Sequence, residues 1–520
     1  MGRRSDPDAR ALLQHRGGLT LARWRTCCIC ERANRLATAT RTTAVSKASR
    51  QSRLPPQIRY IIGNEACERF SFYGMRNILT VFLIDWLLKN QVPAQAERES
   101  MAKAVFHLFV FGVYFTPLLG GFLADRFLGK YRTVLYISLL YCVGHACLAL
   151  FPESRTGFYA GLALIALGSG GVVPCVSALV GDQFTAENKH LVNKVFAVFY
   201  WSINLGSFFA SLLIPKTLRL FGPSVAFGIP GILMGIATLV FWLGRHQYVK
   251  VPPTGRNPHS FLAVVASAWR HRGGSGHFLD SARSQHPAEA VEGVKAVFRI
   301  LSIFAFIPFF WMLFDQKAST WVVQARSMNL RIGSWNFEPS QMQLVNPALV
   351  MLLIPFTTAV VYPAFKQLGW ELTLLRRMPI GVALAATAFV IAGLLNIPVA
   401  AGEKLSVLWQ ILPYSVLTVG EVLVSIAGLE FAYTQAPLTM KSVIQSFWKL
   451  TIAAANLAVA LASALAFFKG TALFFYYAGF GYLAAAGLAW VASRYKVVDW
   501  YQQAPPAEPA QPAAVVAKTG

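Results

Sequence analysis

Charge is scarce in this chain. Of its 520 residues only 13% are Asp, Glu, Lys or Arg, about half the roughly 25% share of a soluble domain. Acid is scarcer than base, 23 residues against 47, which leaves a formal net charge of +24. Together with 55% hydrophobic residues and a mean hydropathy of +0.48, this excludes a soluble domain and requires an integral membrane protein. Alternating ten-residue segments are missing too, which excludes an outer-membrane barrel. The sequence contains no P-loop, HExxH or G-x-S-x-G element, so neither enzyme chemistry nor ATP-driven transport has a basis in it. Cysteine is thin, at 7 residues. Cys27, Cys28 and Cys30 cluster, but a closed zinc site takes four ligands and no fourth stands nearby. No metal and no cofactor are expected. Cys67, Cys142, Cys147 and Cys175 fall in or near apolar segments, as small packing residues.

Long apolar helical runs are plentiful. Twelve occur, at roughly 60–89, 104–124, 133–151, 157–180, 194–214, 225–244, 298–324, 345–363, 378–397, 405–431, 443–467 and 471–493. Each is long enough to cross a hydrocarbon core of about 30 Å, which takes around 20 helical residues. The expected fold class is an all-α membrane protein of twelve transmembrane helices. An even number of crossings puts both termini on one side. Arg126, Lys130 and Arg132, then Lys189 and Lys194, then Arg245, Lys250, Arg256, Arg270, Arg272 and Arg283, then Lys366, Arg376 and Arg377 all fall in loops of one side. Lys216 and Arg219 are a minor exception on the other. Basic loops stay in the cytoplasm, so both termini are expected there, in a plasma membrane or bacterial inner membrane. The same distribution accounts for the basic excess, and no nucleic-acid partner is expected.

Residues 1–56 differ in kind. They are rich in Arg, Ser, Thr and Ala and poor in acid. That composition fits a transit peptide, a disordered tail, or an upstream stretch translated from a misplaced start, since the next methionine after Met1 is Met75. The expected organisation is this extension, a first six-helix bundle over 57–245, a cytoplasmic linker over 246–297, a second bundle over 298–495, and a disordered Ala- and Pro-rich tail over 496–520.

The scarce charges are not scattered. In the first segment Glu65, Arg69, Phe72 and Arg76 lie nearly in line at about 100° per residue, flanked by Glu68 and Tyr73. Ionisable groups in an apolar span normally face a wet cavity, pair with each other and carry function. A carboxylate beside an arginine in such a place has a proton affinity set by competition between desolvation and the cation, and rearranging the pair can release a proton. The alternative is a snorkelling cluster at a helix end.

An internal echo links the halves. Leu128-Gly129 is followed by Thr133, and Leu368-Gly369 by Thr373. A six-plus-six chain with matching loops points to the parallel repeat of major facilitator transporters, whose binding site lies between the halves. Gly120 and Gly121 allow close helix approach, and Asp125 with Arg126 in the following loop reads as a gating hinge.

The run Glu65-Ala66-Cys67-Glu68-Arg69-Phe70-Ser71-Phe72-Tyr73-Gly74-Met75-Arg76 resembles the ExxER…YYGMR signature of the proton-dependent oligopeptide transporters, a branch of the major facilitator superfamily. Gly120 to Thr133, Phe199 to Ser207, and the region of Glu421, Gly428 to Phe431, Gln435 to Pro437 and Met440 to Ser442 are similar to further motifs of that family. The resemblance runs from about 57 to 495. It implies a major facilitator fold of two six-helix halves, with proton coupling at Glu65, Glu68 and Arg69. It implies a peptide site at Arg76, Tyr73, Tyr114, Asn204, Trp311, Asn346, Glu421 and Trp448, with Glu421 facing the ligand's ammonium group. It also implies gates at Asp125 and Arg126, at Asp315 with Arg76, and at Glu430 with Lys441. Bland alternatives stay open: Asp315 neutralising Lys317, Asn346 capping a helix, Asn204 joining helices, and the aromatics packing against protein or lipid. One position departs from the pattern. Relatives carry a lysine before the proline of helix 4, where this chain has Val173 before Pro174. Losing that cation leaves Glu65 and Glu68 less compensated.

The implied function is import of di- and tripeptides driven by protons. Alternatives are a relative with altered or lost coupling, one moving another small organic or inorganic ion, and a non-transporting receptor on the same fold. The implied partners are peptide, protons and the lipid bilayer.

Overall fold

The computed structural model describes residues 54–185, 188–253, 255, 257–271, 277–369 and 371–498. The basic extension up to residue 53, its cysteine cluster and the tail from 499 lie outside the described residues. In chain order the spanning helices are α1 (Ile58–Phe82), α2 (Gln95–Leu128), α3 (Lys130–Leu150), α4 (Arg155–Asp182), α5 (192–221), α6 (223–243), α7 (Ala288–Phe304 and Ile307–Ser327), α8 (Pro339–Gln367), α9 (Leu374–Ala400), α10 (Val407–Gln435), α11 (Lys441–Ala464) and α12 (Ala472–Arg494).

Among the described residues, nine helices are apolar and long enough to cross a membrane as they stand, and ten if the two pieces of α7, bent by 45°, are one span. The remaining two of the expected twelve are disguised by local chemistry. The stripe of charges on α1 lowers its apolarity, although with its closing π turn at Leu83–Leu87 it has full spanning length. Helices α5 and α6 form one 52-residue run, Val192–Leu243, interrupted at Gly222 with φ 81°. At 1.5 Å per residue such a run is close to 80 Å long, far more than one crossing of about 30 Å.

Each half has its own apolar core. Ile61, Met75, Phe82, Phe106, Tyr141, Phe158 and Phe227 fill the first; Phe304, Phe310, Trp321, Phe389, Tyr414 and Phe431 fill the second. Tyr114 packs against both. Polar side chains of α1 fasten it to α5 and α6: Asn64 donates to the Ala237 carbonyl at 3.0 Å, Asn77 to Ser211 Oγ at 2.6 Å, and Ser71 to the Pro230 carbonyl at 2.6 Å.

The internal echo has a backbone counterpart. Gly129 and Gly369, at matching places after α2 and α8, take φ values of 74° and 73°, a left-handed conformation that glycine adopts freely. Both preceding helices also contain a π turn, Ala124–Leu128 and Thr357–Val361. At Gly120 an added Cβ would come within 2.3 Å of the Gly170 carbonyl oxygen, so α2 and α4 meet backbone to backbone there.

Helix α7 begins at Ala288, inside the segment expected to be linker. Before it, a helix at Phe261–Arg270 lays Val264 and Ala268 into the second core, and Phe261 packs on Phe298 and Phe447. Lys295 and Arg283 tie Asp280 to Glu292. The opposite end of the bundle carries a two-stranded hairpin, β1 (Arg331–Ile332) and β2 (Trp335–Asn336). The two ends are called here the linker end and the hairpin end.

Candidate functional site between the two halves

Ionisable side chains meet where the halves face each other. Arg76 of α1 donates to Asp315 Oδ1 of α7 at 2.7 Å, and Asn456 Nδ2 of α11 donates to Asp315 Oδ2 at 2.7 Å. Asn456 Oδ1 lies 2.7 Å from His107 Nδ1, and His107 Nε2 lies 2.8 Å from Ser319 Oγ. The second hydrogen of the Asn456 amide goes to the Ile452 carbonyl, so Oδ1 can only accept and His107 Nδ1 carries the proton. One chain of hydrogen bonds therefore runs from Arg76 through Asp315 and Asn456 to His107 and Ser319. All five side chains are buried.

A second chain lies beside it. Lys317 donates to Asn346 Oδ1 at 2.6 Å, and Asn346 Nδ2 donates to Thr418 Oγ1 at 3.0 Å and to Glu421 Oε2 at 2.6 Å. An amide thus bridges a buried ammonium and a half-buried carboxylate, and the Lys317 ammonium also lies 3.3 Å from the Phe314 ring centroid. Two bland readings fall to this geometry. Asp315 and Lys317 turn to different partners, and Asn346 makes no cap bond to the helix that opens at Val345.

The third group belongs to α1 alone. Arg69 Nε lies 2.5 Å from Glu68 Oε2 and 3.3 Å from Glu65 Oε1. Glu65 and Glu68 are 4% and 0% exposed, too deeply buried for a snorkelling cluster. Glu68 Oε1 and Arg69 Nη2 are buried with no hydrogen-bond partner among the described residues.

Aromatic side chains fill the space near the bend of α7. Trp311 and Trp448 meet edge to face at 6.2 Å, with Phe304 5.3 Å from Trp448. The Trp311 indole N–H is buried and unpartnered. Gly428 of α10 makes room for Trp448, since an added Cβ would lie 2.2 Å from its ring. Tyr73 and Tyr114 are half-buried. Phe72, standing where a tyrosine is usual, packs on Phe109 and offers no hydroxyl. Asn204 donates to the Tyr200 carbonyl of its own helix at 3.0 Å rather than joining helices.

Among the described residues the expected gate residues Asp125 and Arg126 are not paired with each other in this conformation. Asp125 and Arg126 are exposed, and the Asp125 carbonyl, not its carboxylate, accepts a bond, from Gly255. A nearby ion pair joins Lys130 to Asp182 instead, at 2.7 Å. Glu430 is exposed, and the Lys441 ammonium lies 3.7 Å from the Tyr433 ring centroid.

The hairpin end is different. Ten hydrogen bonds join the halves among the described residues, and all are on that side: Arg76–Asp315, Thr80–Ala318, His107 to Asn456 and Ser319, Lys216–Asn336, Arg219–Glu338, Arg326 to Asp85 and Glu99, Gln341–Leu212 and Gln343–Asn77. Lys216 and Arg219, the basic exception of the sequence, are latches onto the hairpin; Lys216 also lies 4.1 Å from the Trp335 ring centroid.

Sequence reasoning missed His107, Asn456 and Lys449, and gave Lys317 no role of its own. A histidine, an asparagine and two lysines inside apolar runs were the available signal.

Two apolar-cored bundles with ionisable groups between them define a multi-pass integral membrane protein of the two-bundle kind. The PTR2 model of the POT family matches residues 131–469, and the chain belongs to that family. It is 37% identical over 370 residues to peptide transporter 3 of Caenorhabditis elegans, covering 66% of this chain and 51% of that one. It is 36% identical over 370 residues to human solute carrier family 15 member 2, covering 67% of this chain and 50% of that one. The chain thus spans about half the length of these curated relatives. Its fold is similar to that of an auto-inhibited POT family peptide transporter (TM-score 0.82, 48% identity, 86% of this chain and 98% of that one). It is also similar to the POT family transporter PepTSo (TM-score 0.81, 47% identity, 85% and 99%).

Proposed function

We propose that this chain imports di- and tripeptides together with protons by alternating access. One observation carries the reading: groups of both signs, buried Arg76, Lys317 and Asp315 with half-buried Glu421, lie between the halves beside the Trp311–Trp448 pair. A zwitterionic peptide needs a cation for its carboxylate and an anion for its ammonium; Arg76 and Glu421 fill those roles. In this conformation each is held by a protein partner, Asp315 and Asn346 respectively. A ligand that recruits them draws on both halves at once, and differential binding of that kind shifts a two-state carrier.

The names of the relatives support the peptide substrate. The basic loops support a cytoplasmic linker end with both termini on that side, in a plasma or bacterial inner membrane. The conformation is then inward-facing: among the described residues the halves are bonded at the hairpin end and unbonded at the linker end. Glu65, Glu68 and Arg69 are the proton-coupling group, with His107 joining them as a second titratable site. Asp125, Arg126, Glu430 and Lys441 act at the linker end when it closes.

A second reading, altered or lost coupling, is favoured by Val173 alone. Uptake of a labelled dipeptide into proteoliposomes, with and without an inward proton gradient, separates the two. Accumulation above equilibrium only with the gradient supports the first; counterflow without accumulation supports the second; no dipeptide movement sinks both.

A further inference from the structure

The charge of the α1 cluster does not balance within itself. Two carboxylates, Glu65 and Glu68, share one guanidinium, and Arg69 sits closer to Glu68, at 2.5 Å, than to Glu65, at 3.3 Å. Glu65 is therefore the less compensated acid in a buried site. Helix α4 offers no cation at Val173. Helix α11, from the other half, does. The Lys449 ammonium lies over the Tyr114 ring, 5.6 Å from its centroid, and the charged groups that act on it are Glu65 and Arg69. Those that act on Glu65 are Arg69, Glu68 and Lys449. Among the described residues Lys449 makes no hydrogen bond and no ion pair in this conformation. It is half-buried beside the buried Trp448.

An ammonium held in an apolar interface without an ion-pair partner is expensive, and Glu65 is the one carboxylate whose charge acts on it. Both residues stand on the linker-end side of their helices' midpoints, the region where no hydrogen bond joins the halves. Closing that end carries α11 toward α1. Arg69 would repel Lys449, so the approach requires Arg69 to stay on Glu68, where it already sits.

We propose that Lys449 is a coupling residue: it pairs with ionised Glu65 when the linker end closes, and lets go when Glu65 takes up a proton. Lys449 then acts through Glu65 and positions it, without touching the peptide. The inference rests on the transport reading above, and its test does not depend on that reading.

The test uses the full chain with its 7 native cysteines replaced by serine and spin labels at Phe127→Cys and Leu368→Cys, exposed residues at the linker ends of α2 and α8. Electron–electron distance measurements in liposomes from pH 5.5 to 8.5 report the fraction with a closed linker end. The closed fraction should rise with pH in the parent. Lys449→Gln and Glu65→Gln should each lower it and flatten its pH dependence, while Lys449→Arg and the exchange Glu65→Lys with Lys449→Glu should recover it. In parallel, Lys449→Gln should depress gradient-driven dipeptide accumulation relative to counterflow by about fivefold or more, the lower range of an energetic coupling between sites. A closed fraction and pH profile in Lys449→Gln equal to the parent overturn the proposal, whether or not dipeptide moves. If no variant moves dipeptide, the transport reading fails, and the distance profiles still decide the pair.

Discussion

Arg76 and Asp315 stand 239 residues apart in sequence and meet at 2.7 Å across the interface of the two halves. Neither has another charged hydrogen-bond partner, so each neutralises the other. Asp315→Asn keeps the shape and leaves a buried guanidinium alone. Removing one member of a buried pair costs about 3–5 kcal/mol. The variant should unfold at lower temperature in detergent, and its hairpin end should open. Reactivity of a cysteine at Thr80 toward an aqueous thiol reagent should increase; unchanged reactivity would argue against a gate at this pair.

Glu421 receives a hydrogen bond from Asn346, is joined through that amide to Lys317, and makes no ion pair among the described residues. Glu421→Gln should raise KM for a dipeptide with a free amino terminus by about tenfold, consistent with roughly 1.5–3 kcal/mol for a hydrogen bond to a charged group. An N-acetylated dipeptide should bind almost as poorly to the parent as to the variant. Equal losses for both ligands would remove Glu421 from ammonium recognition.

Gly428→Ala improves helix propensity yet places a methyl group 2.2 Å from the Trp448 ring. Overpacking of this kind costs about 1–3 kcal/mol. The helix content by circular dichroism should hold while dipeptide affinity falls, because Trp448 must leave its edge-to-face contact with Trp311. Parent-like affinity would mean the pair does not shape the pocket.

His259 and His286, both in the linker before α7, face each other with Nδ1 atoms 3.0 Å apart. One nitrogen must donate and the other accept, which requires at least one neutral ring. Burial, with the His259 charge second, holds His286 below the usual histidine range. A lowered folded value means the contact is at full strength above the unfolded value of about 6.5 and weakens as pH falls below it. Proteolysis of the linker should accelerate between pH 7.5 and 5.5, and His286→Asn should flatten that dependence.

Val173 is half-buried on α4. Val173→Lys adds a second cation toward the α1 carboxylates while Lys449 remains. The pH at which gradient-driven uptake is half-maximal should shift to more acidic values, because a nearby cation favours the ionised carboxylate. The same profile in both forms would show that this face of α4 does not sense the cluster.

Much of this arrangement was legible in the chain itself. The stripe from Glu65 to Arg76 announced itself because charges in apolar helices are conspicuous, and Leu128-Gly129 with Leu368-Gly369 announced the repeat because a left-handed backbone turn favours one residue type. Partners were harder. Asp315 had a plausible local neighbour in Lys317, and only the three-dimensional packing shows them turning apart. Asn456 and His107 are single polar residues on different helices, and nothing local in either helix links them. Crossing limits were blurred where α5 continues as helix past Lys216 and Arg219 to the break at Gly222, and where α7 starts early on an amphipathic turn that packs against the linker.

The one-sidedness of the bonds between halves has a kinetic consequence. Opening the hairpin end must break a set of bonds that share residues, His107 and Arg326 among them, so they yield together rather than one by one. Water replaces each lost partner, and the net free-energy difference between the two states stays modest. The barrier between them does not benefit in the same way, since the old bonds break before the new ones form. Substitutions along this zipper, Arg76 and its partner Asp315 apart, should therefore act on turnover, with a steep dependence on temperature, and leave the apparent affinity for cargo almost untouched.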